Sequence, residues 1–350
     1  MRPGGLPRSP VAFPPPLSGS LRVETLRSKV LEGNPWGDPT ERRIACYLPP
    51  SGRTEGLPLL VLLSGFTGAG WSLFREGGYL QEALHQRIDR MMRSGACGEA
   101  VVVAPDGLTK LGGSQYVNSS ATGRYADHIV QEVVPWARER FRTGLSGVLG
   151  QSSGGFGALH LAFEHPGVFA AVGSSSGDMA FEHCYLPDFP KALRQFRKYG
   201  GPEEFLRKLF EEPSKVLVGP LDPSGAALNT LGMASCYSPV PEEPGSFELP
   251  FDLETGMLRP EVWDRWLAFD PLRRVRTDAG VSALLRLRRL HVTASMPDEW
   301  ALDVGARGFV SEARAHGVPV LHDELEGGHF QSGPRYERLF SELISALRPI

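Results

Sequence analysis

Three residue types that can jointly break an acyl bond lie far apart in this 350-residue chain: a serine, a histidine and a carboxylic acid. The serine is Ser152, in Gly150-Gln151-Ser152-Ser153-Gly154. The short apolar run Val148-Leu149 precedes it, and Gly155-Phe156-Gly157-Ala158-Leu159-His160-Leu161-Ala162-Phe163 follows with helical character. Strand, sharp turn and helix with a serine at the turn is the context of a nucleophile elbow. The turn strains the serine backbone, so the flanking Gly150 and Gly154 are the small residues it requires. A serine hydroxyl is a poor nucleophile at neutral pH and needs a base. His329, after Gly327-Gly328, would take its proton and return it to the leaving group. Asp298, in Pro297-Asp298-Glu299, would fix the imidazole tautomer and stabilise its charged form.

The serine pattern alone is weak in a chain with 41 glycines, and it occurs twice. Gly173-Ser174-Ser175-Ser176-Gly177 also matches, but the sequence behind it is mixed and soon broken by Pro187. Ser152 is therefore the expected nucleophile and Ser175 the alternative. For the acid, Glu299 and Asp303 remain alternatives to Asp298. Two backbone N–H groups are expected to hold the oxyanion: Ser153, directly after the nucleophile, and Phe66 in Ser64-Gly65-Phe66-Thr67-Gly68, with Thr67 behind it. Trp71 is a candidate pocket wall. Tyr116, Asn118 and Arg124, in a polar and aromatic loop at a strand's carboxyl end, are candidate substrate contacts.

These residues must be carried by a scaffold, and the patterning supplies one. Leu21–Val30 and Arg42–Leu48 read as an antiparallel pair. Leu59–Leu63 and Ala100–Pro105 are unbroken apolar runs, as in strands buried on both faces. Further strands are expected before Ser152, at Val168–Val172, at Leu290–Ala294 and at Val318–Glu324, with helices between them. About eight strands alternating with helices imply an α/β fold with a mostly parallel sheet covered on both faces. Ser152, Asp298 and His329 then follow the fifth, seventh and eighth strands, at the carboxyl ends where ligands bind. The sheet pattern stops between about residues 178 and 287. That proline-rich stretch is too long for a connection and is expected to form an inserted cap of helices and loops over the site. Residues 1–20 read as a loose Pro-rich tail, with 21–350 as one catalytic domain.

At 41% hydrophobic and 22% charged residues the composition is that of a globular protein. A net charge of −3 gives no electrostatic reason for nucleic acid or an anionic membrane as partner. No apolar run reaches signal-peptide or membrane-span length, so a cytoplasmic protein is expected. Cys46, Cys97, Cys184 and Cys236 are widely spaced and read as free thiols. Neither H-E-x-x-H, an EF-hand nor a G-K-[ST] phosphate loop occurs, so neither a metal nor a cofactor is expected. The expected partner is a small-molecule ester; an oligomer is left open.

Serine, acid and histidine in that chain order match the α/β-hydrolases. The chain resembles their putative-esterase branch, which includes S-formylglutathione hydrolases, enterochelin esterases and mycolyltransferases. The resemblance is carried by Tyr47-Leu48-Pro49-Pro50, Leu63–Gly68, Gly150–Leu159, Asp298-Glu299 and Gly327-Gly328-His329-Phe330. It implies an eight-stranded α/β-hydrolase fold and carboxylic ester hydrolysis through an acyl-enzyme, without metal or organic cofactor. The formylglutathione hydrolases usually carry a cysteine near Gly68, and the insert here is long; both argue against formylglutathione as substrate. Acyl transfer to an alcohol uses the same chemistry and remains an alternative. A silent ligand-binding protein is the third.

Overall fold

The computed structural model describes residues 16–76 and 81–348. Among these an eight-stranded sheet runs in the order β1-β2-β4-β3-β7-β8-β9-β10, and β5 and β6 form a separate two-stranded piece. The strands are β1 (Ser20–Arg27), β2 (Glu41–Leu48), β3 (Leu59–Leu63), β4 (Val101–Pro105), β5 (Asn118–Ser119), β6 (Gly123–Arg124), β7 (Ser146–Gln151), β8 (Ala171–Ser175), β9 (Arg289–Met296) and β10 (Leu321–Glu326). β1 and β2 are antiparallel, β2 meets β4 antiparallel, and from β4 across to β10 the pairing is parallel.

β3 and β4 are buried at every residue, because helices cover both faces. Side chains alternate between two clusters, as a period of two demands. Leu59, Val61 and Leu63 join Ile129, Leu159 and Phe309 on one face. Leu60 and Leu62 join Met91, Leu339 and Leu343 on the other. Each such side chain contributes about 1.5–3 kcal/mol on leaving water.

Two strands are displaced from the expected positions. The strand expected at Val168–Val172 lies at Ala171–Ser175. Val168 instead closes a turn, its N–H donating to His165 O at 3.2 Å. Glycine and serine are poor strand formers alone, but in the sheet centre Gly173, Ser174 and Ser175 are paired on both sides. Likewise Val318 N–H closes the preceding helix on Ala313 O (2.9 Å), and β10 begins at Leu321.

Most of the expected tail lies outside the described residues. At its end, Ser18 and Gly19 are tied to Asp89 by N–H bonds of 2.9 and 2.7 Å. From Phe181 to Leu285 the described chain forms helices, turns and two isolated bridges, and no strand there joins the main sheet. This segment packs around a third apolar cluster that includes Phe181, Phe189, Phe205, Tyr237 and Trp266. Among the described residues no helix is long and apolar enough to cross a membrane. Cys46, Cys97, Cys184 and Cys236 are all free and buried.

Candidate active site

The chain leaves β3 for β4 on one side and then crosses to β7 on the other, a topological switch of the kind that opens a ligand crevice. The loop after β3 and the turn after β7 border that point. Ser152 occupies the turn with φ 57° and ψ −129°, a conformation an L-residue adopts only under constraint. Small neighbours are required there. A Cβ on Gly154 would stand 2.2 Å from Leu63 O, and one on Gly150 would stand 2.5 Å from the Gly154 carbonyl carbon. Ser152 N–H donates to Ser175 O at 3.0 Å. The helix Ser153–Glu164 starts immediately behind the serine.

His329 lies after β10, with Nδ1 2.9 Å from Asp298 Oδ2. Asp298 lies after β9 and is buried, and its Oδ1 accepts the Trp300 N–H at 3.0 Å. Burial alone would raise the Asp298 carboxyl. The hydrogen bond from His329 and its charge, then the Trp300 N–H and Ser176, outweigh that and leave it below its ordinary value. The ionised acid holds the imidazole through Nδ1, and among the described residues Nε2 has no hydrogen-bond partner. Ser152 and His329 line the same cavity of about 450 Å³. Among the described residues no hydrogen bond joins Ser152 Oγ to His329. Such contacts are often loose until substrate binds.

The backbone of His329 is held from both sides. Its N–H donates to Glu299 Oε2 at 2.7 Å. Its carbonyl accepts from Gln151 Nε2 and from Arg335 Nη2, the latter at 2.7 Å. Arg335 also donates through Nε to Ser175 Oγ at 3.0 Å and through Nη1 to Ser295 Oγ. This guanidinium is 1% exposed and ties β8, β9 and the histidine loop together.

The Phe66 N–H has no partner among the described residues, and Phe66 lines the cavity. Ser153 N–H is in the first turn of its helix, where N–H groups lack intrahelical acceptors and the dipole favours an anion. The Phe66 loop is fixed rather than free. Thr67 has φ 60° and its N–H donates to Gly112 O at 2.8 Å. The Phe66 ring is pressed between Gly112 and Gly232, where added Cβ atoms would come within 2.5 and 2.6 Å of it.

Four expected substrate contacts lie away from the cavity. Tyr116 is buried, and its hydroxyl donates to Ser64 O at 2.9 Å, bracing the base of the Phe66 loop from behind. Left-handed backbone at Gln115 (φ 48°) and Tyr116 (φ 55°) turns that ring inward against Gly107 and Gly157. Asn118 Oδ1 accepts the Asp127 N–H at 3.1 Å, and Arg124 pairs with Asp127. Both side chains help to hold a helix start. Trp71 is 38% exposed and stacks under Arg43, whose guanidinium carbon is 4.8 Å from the ring centre.

Of the alternatives, Ser175 is fully buried and spent on Arg335 and on the elbow backbone. Glu299 holds the histidine N–H rather than its ring. Asp303 pairs with Arg307 at 3.4 Å. His160 is buried and stacked on Phe156, and burial pushes its pKa down to about 3. Cys184 lines the cavity, but burial drives its thiol well above the ordinary value, which disfavours the thiolate. No group of three or more His, Cys, Asp or Glu among the described residues is disposed to hold a metal ion.

Arg335, Gln151 and Asp178 were not anticipated as site residues. Arg335 left a signal: it stands at i, i+4, i+8 spacing with Leu339 and Leu343, a charge in an apolar stripe.

Sheet, elbow, acid and histidine loop define an α/β-hydrolase. The chain belongs to the family described as "Putative esterase", which matches residues 39–214, and it is a serine hydrolase of ester bonds. Among solved structures it is similar to a ferulic acid esterase, with 18% identity, a TM-score of 0.58, and coverage of 95% of this chain and 99% of that one. It is also similar to an S-formylglutathione hydrolase from Agrobacterium tumefaciens, with 16% identity, a TM-score of 0.55, and coverage of 95% and 97%. A third is MPT51 (FbpC1) of Mycobacterium tuberculosis, with 18% identity, a TM-score of 0.53, and coverage of 93% and 99%.

Proposed function

We propose that the protein hydrolyses carboxylic esters through an acyl-enzyme on Ser152, with His329 as base and Asp298 as its partner. The observation that carries this is the 2.9 Å bond between His329 Nδ1 and Asp298 Oδ2 at the wall of the cavity that the strained Ser152 also faces. His329 Nε2 takes the Ser152 proton as Oγ attacks the ester carbonyl. The N–H groups of Phe66 and Ser153 stabilise the oxyanion, each worth about 2.7–4 kcal/mol in comparable sites. His329 then passes its proton to the departing alcohol oxygen. Water then attacks the acyl carbon while losing a proton to the same nitrogen, the bond to Ser152 Oγ breaks, Oγ takes that proton back, and the acid is released. The names of two of the similar structures, an esterase and a hydrolase, agree with this chemistry.

Ser152→Ala removes the nucleophile and should abolish both hydrolysis of short-chain aryl esters and covalent labelling by a fluorophosphonate. Wild-type activity in that variant overturns the proposal.

A further inference from the structure

Beside the reacting serine the cavity holds a carboxylic acid that the hydrolytic steps do not use. Asp178 stands three residues beyond β8 and is 6% exposed. It follows Gly177, whose Cα would be 2.9 Å from a Cβ placed on Gly155, so its backbone runs against the first turn behind Ser152. Both of its protein hydrogen bonds fall on one oxygen. Oδ2 accepts from Gln115 Nε2 at 3.0 Å and from the Tyr185 hydroxyl at 2.8 Å. Among the described residues Oδ1 has no partner, and it is not among the fully buried unpaired atoms, in keeping with the cavity that Asp178 lines.

A buried carboxylate with a purely structural role is expected to satisfy both oxygens. Here one oxygen is anchored and the other is presented. The anchoring is deliberate in conformational terms: left-handed backbone at Gln115 and Tyr116 is what brings the Gln115 amide to the acid. Burial disfavours the charge and raises the Asp178 carboxyl, more than the bonds from Tyr185 and Gln115 and the charge of His329 lower it. The unpartnered Oδ1 is an acceptor position that a ligand donor can fill, and such a donor favours the charged form that burial disfavours. Asp188, the other cavity acid, is already paired with Lys191 at 2.8 Å. Leu217, Leu228 and Leu302 add apolar wall to the same cavity, with Asn229 as a neutral polar group among them. Such surroundings suit a neutral donor better than a hydrated cation.

We infer that Asp178 is a specificity-determining residue that accepts a hydrogen bond from a hydroxyl group carried by the ester substrate. This deepens, and rests on, the reading of Ser152 as nucleophile. With Gln115 and Tyr185 donating to Oδ2 and a ligand hydroxyl donating to Oδ1, Asp178 is held in its ionised form, which only accepts and so selects a hydroxyl over a methyl ether at the same place. Asp178→Asn keeps an oxygen for Gln115 and Tyr185 but presents an N–H₂, which donates to an ether and tolerates a hydroxyl.

The test uses p-nitrophenyl esters of matched length whose acyl chains end in hydroxyl, methoxy, amino or methyl, together with hydroxyalkyl and methoxyalkyl butyrates. In the wild type the hydroxyl ester should exceed the methoxy ester at least tenfold in kcat/KM in one series. In Asp178→Asn that ratio should fall at least tenfold. Equal loss on every ester in the variant, an unchanged ratio, or a wild-type preference for the amino ester overturns the inference. If the variant does not fold, competitive inhibition of the wild type by the corresponding hydroxy and methoxy ketones decides, and equal inhibition constants overturn it. Failure of the underlying reading looks different: the plain methyl-ended ester is not turned over and Ser152 is not labelled.

Discussion

The two sides of the cavity are built on opposite terms. On the sheet side every group that would touch the reacting atoms is fixed by strand ends and buried hydrogen bonds. Ser152 is held through Ser175 O, Asp298 through Trp300, and His329 through Glu299, Gln151 and Arg335. On the cap side, Leu217, Val218, Gly219 and Pro220 form a turn-rich wall, and Val218 is 84% exposed. Polar anchoring there is local: Asp222 Oδ1 accepts the Ser224 and Gly225 N–H groups to start the next helix. The difference separates two tasks. Bond breaking needs placement to a fraction of an ångström, whereas apolar recognition is non-directional and tolerates a pliable wall.

If that division holds, damage to the sheet side should appear in kcat and damage to the cap wall in KM. The largest effect is expected for Ser152→Ala, with kcat falling by about 10⁴-fold or more. Next is Arg335→Met. Losing the guanidinium leaves Ser175 Oγ without its buried donor, at a cost of about 1–3 kcal/mol of stability, and takes one of two or more partners from Ser295 Oγ and the His329 carbonyl. It also frees the histidine loop, and a displacement near 1 Å costs about 10²-fold in rate. We expect kcat to fall roughly 10- to 100-fold with KM little changed, and fluorophosphonate labelling to slow in proportion. Arg335→Lys should restore only part, because an ammonium lacks the planar fork that reaches three acceptors. A lower melting temperature with an unchanged labelling rate would make Arg335 a purely structural residue.

The sheet side was also the legible side. Buried parallel strands are written as unbroken apolar runs, and their order follows from the alternation with helices, so Ser152, Asp298 and His329 could be placed at strand ends without coordinates. The glycines at 150 and 154 were readable because a strained turn leaves no room for a Cβ. What was not legible is which way a side chain points from an irregular loop. Tyr116, Asn118 and Arg124 have the right types and sit at a strand end, yet two consecutive left-handed residues turn Tyr116 inward, and Asn118 and Arg124 both meet Asp127 at a helix start. The same turn hands Gln115 to Asp178, a pairing 63 residues apart that no local pattern encodes. The second serine motif was read for its chemistry, but burial makes it support: Ser175 receives Arg335, and Ser176 Oγ accepts the Ser295 N–H at 3.1 Å.

The cap and the sheet touch at one position where the division can be sharpened. Gly232 lies on the cap helix Pro223–Tyr237, and a Cβ there would come 2.6 Å from the Phe66 ring and 2.8 Å from Leu111 O. The backbone oxygen cannot yield cheaply, so Gly232→Ala should push the ring and carry the Phe66 N–H off its aim. A cap substitution would then behave as a sheet-side one, lowering kcat about tenfold through a weakened oxyanion donor. An effect on KM alone would show that the Phe66 loop is independent of the cap.

The smallest effect is expected for Val218→Ser, which trims the exposed rim of the cap wall without touching a strand end. Val218 is mostly in water in the free protein, so only the part a substrate covers contributes to binding. Covering one or two methyl groups is worth about 1 kcal/mol at most. KM for esters with long apolar chains should rise about two- to fivefold, KM for acetate esters should stay within error, and kcat should not move for either. A fall in kcat on both would mean that the rim helps to place the ester carbonyl. The cap would then be part of the rigid half, and the separation between fixed chemistry and pliable recognition would fail where the wall is most exposed.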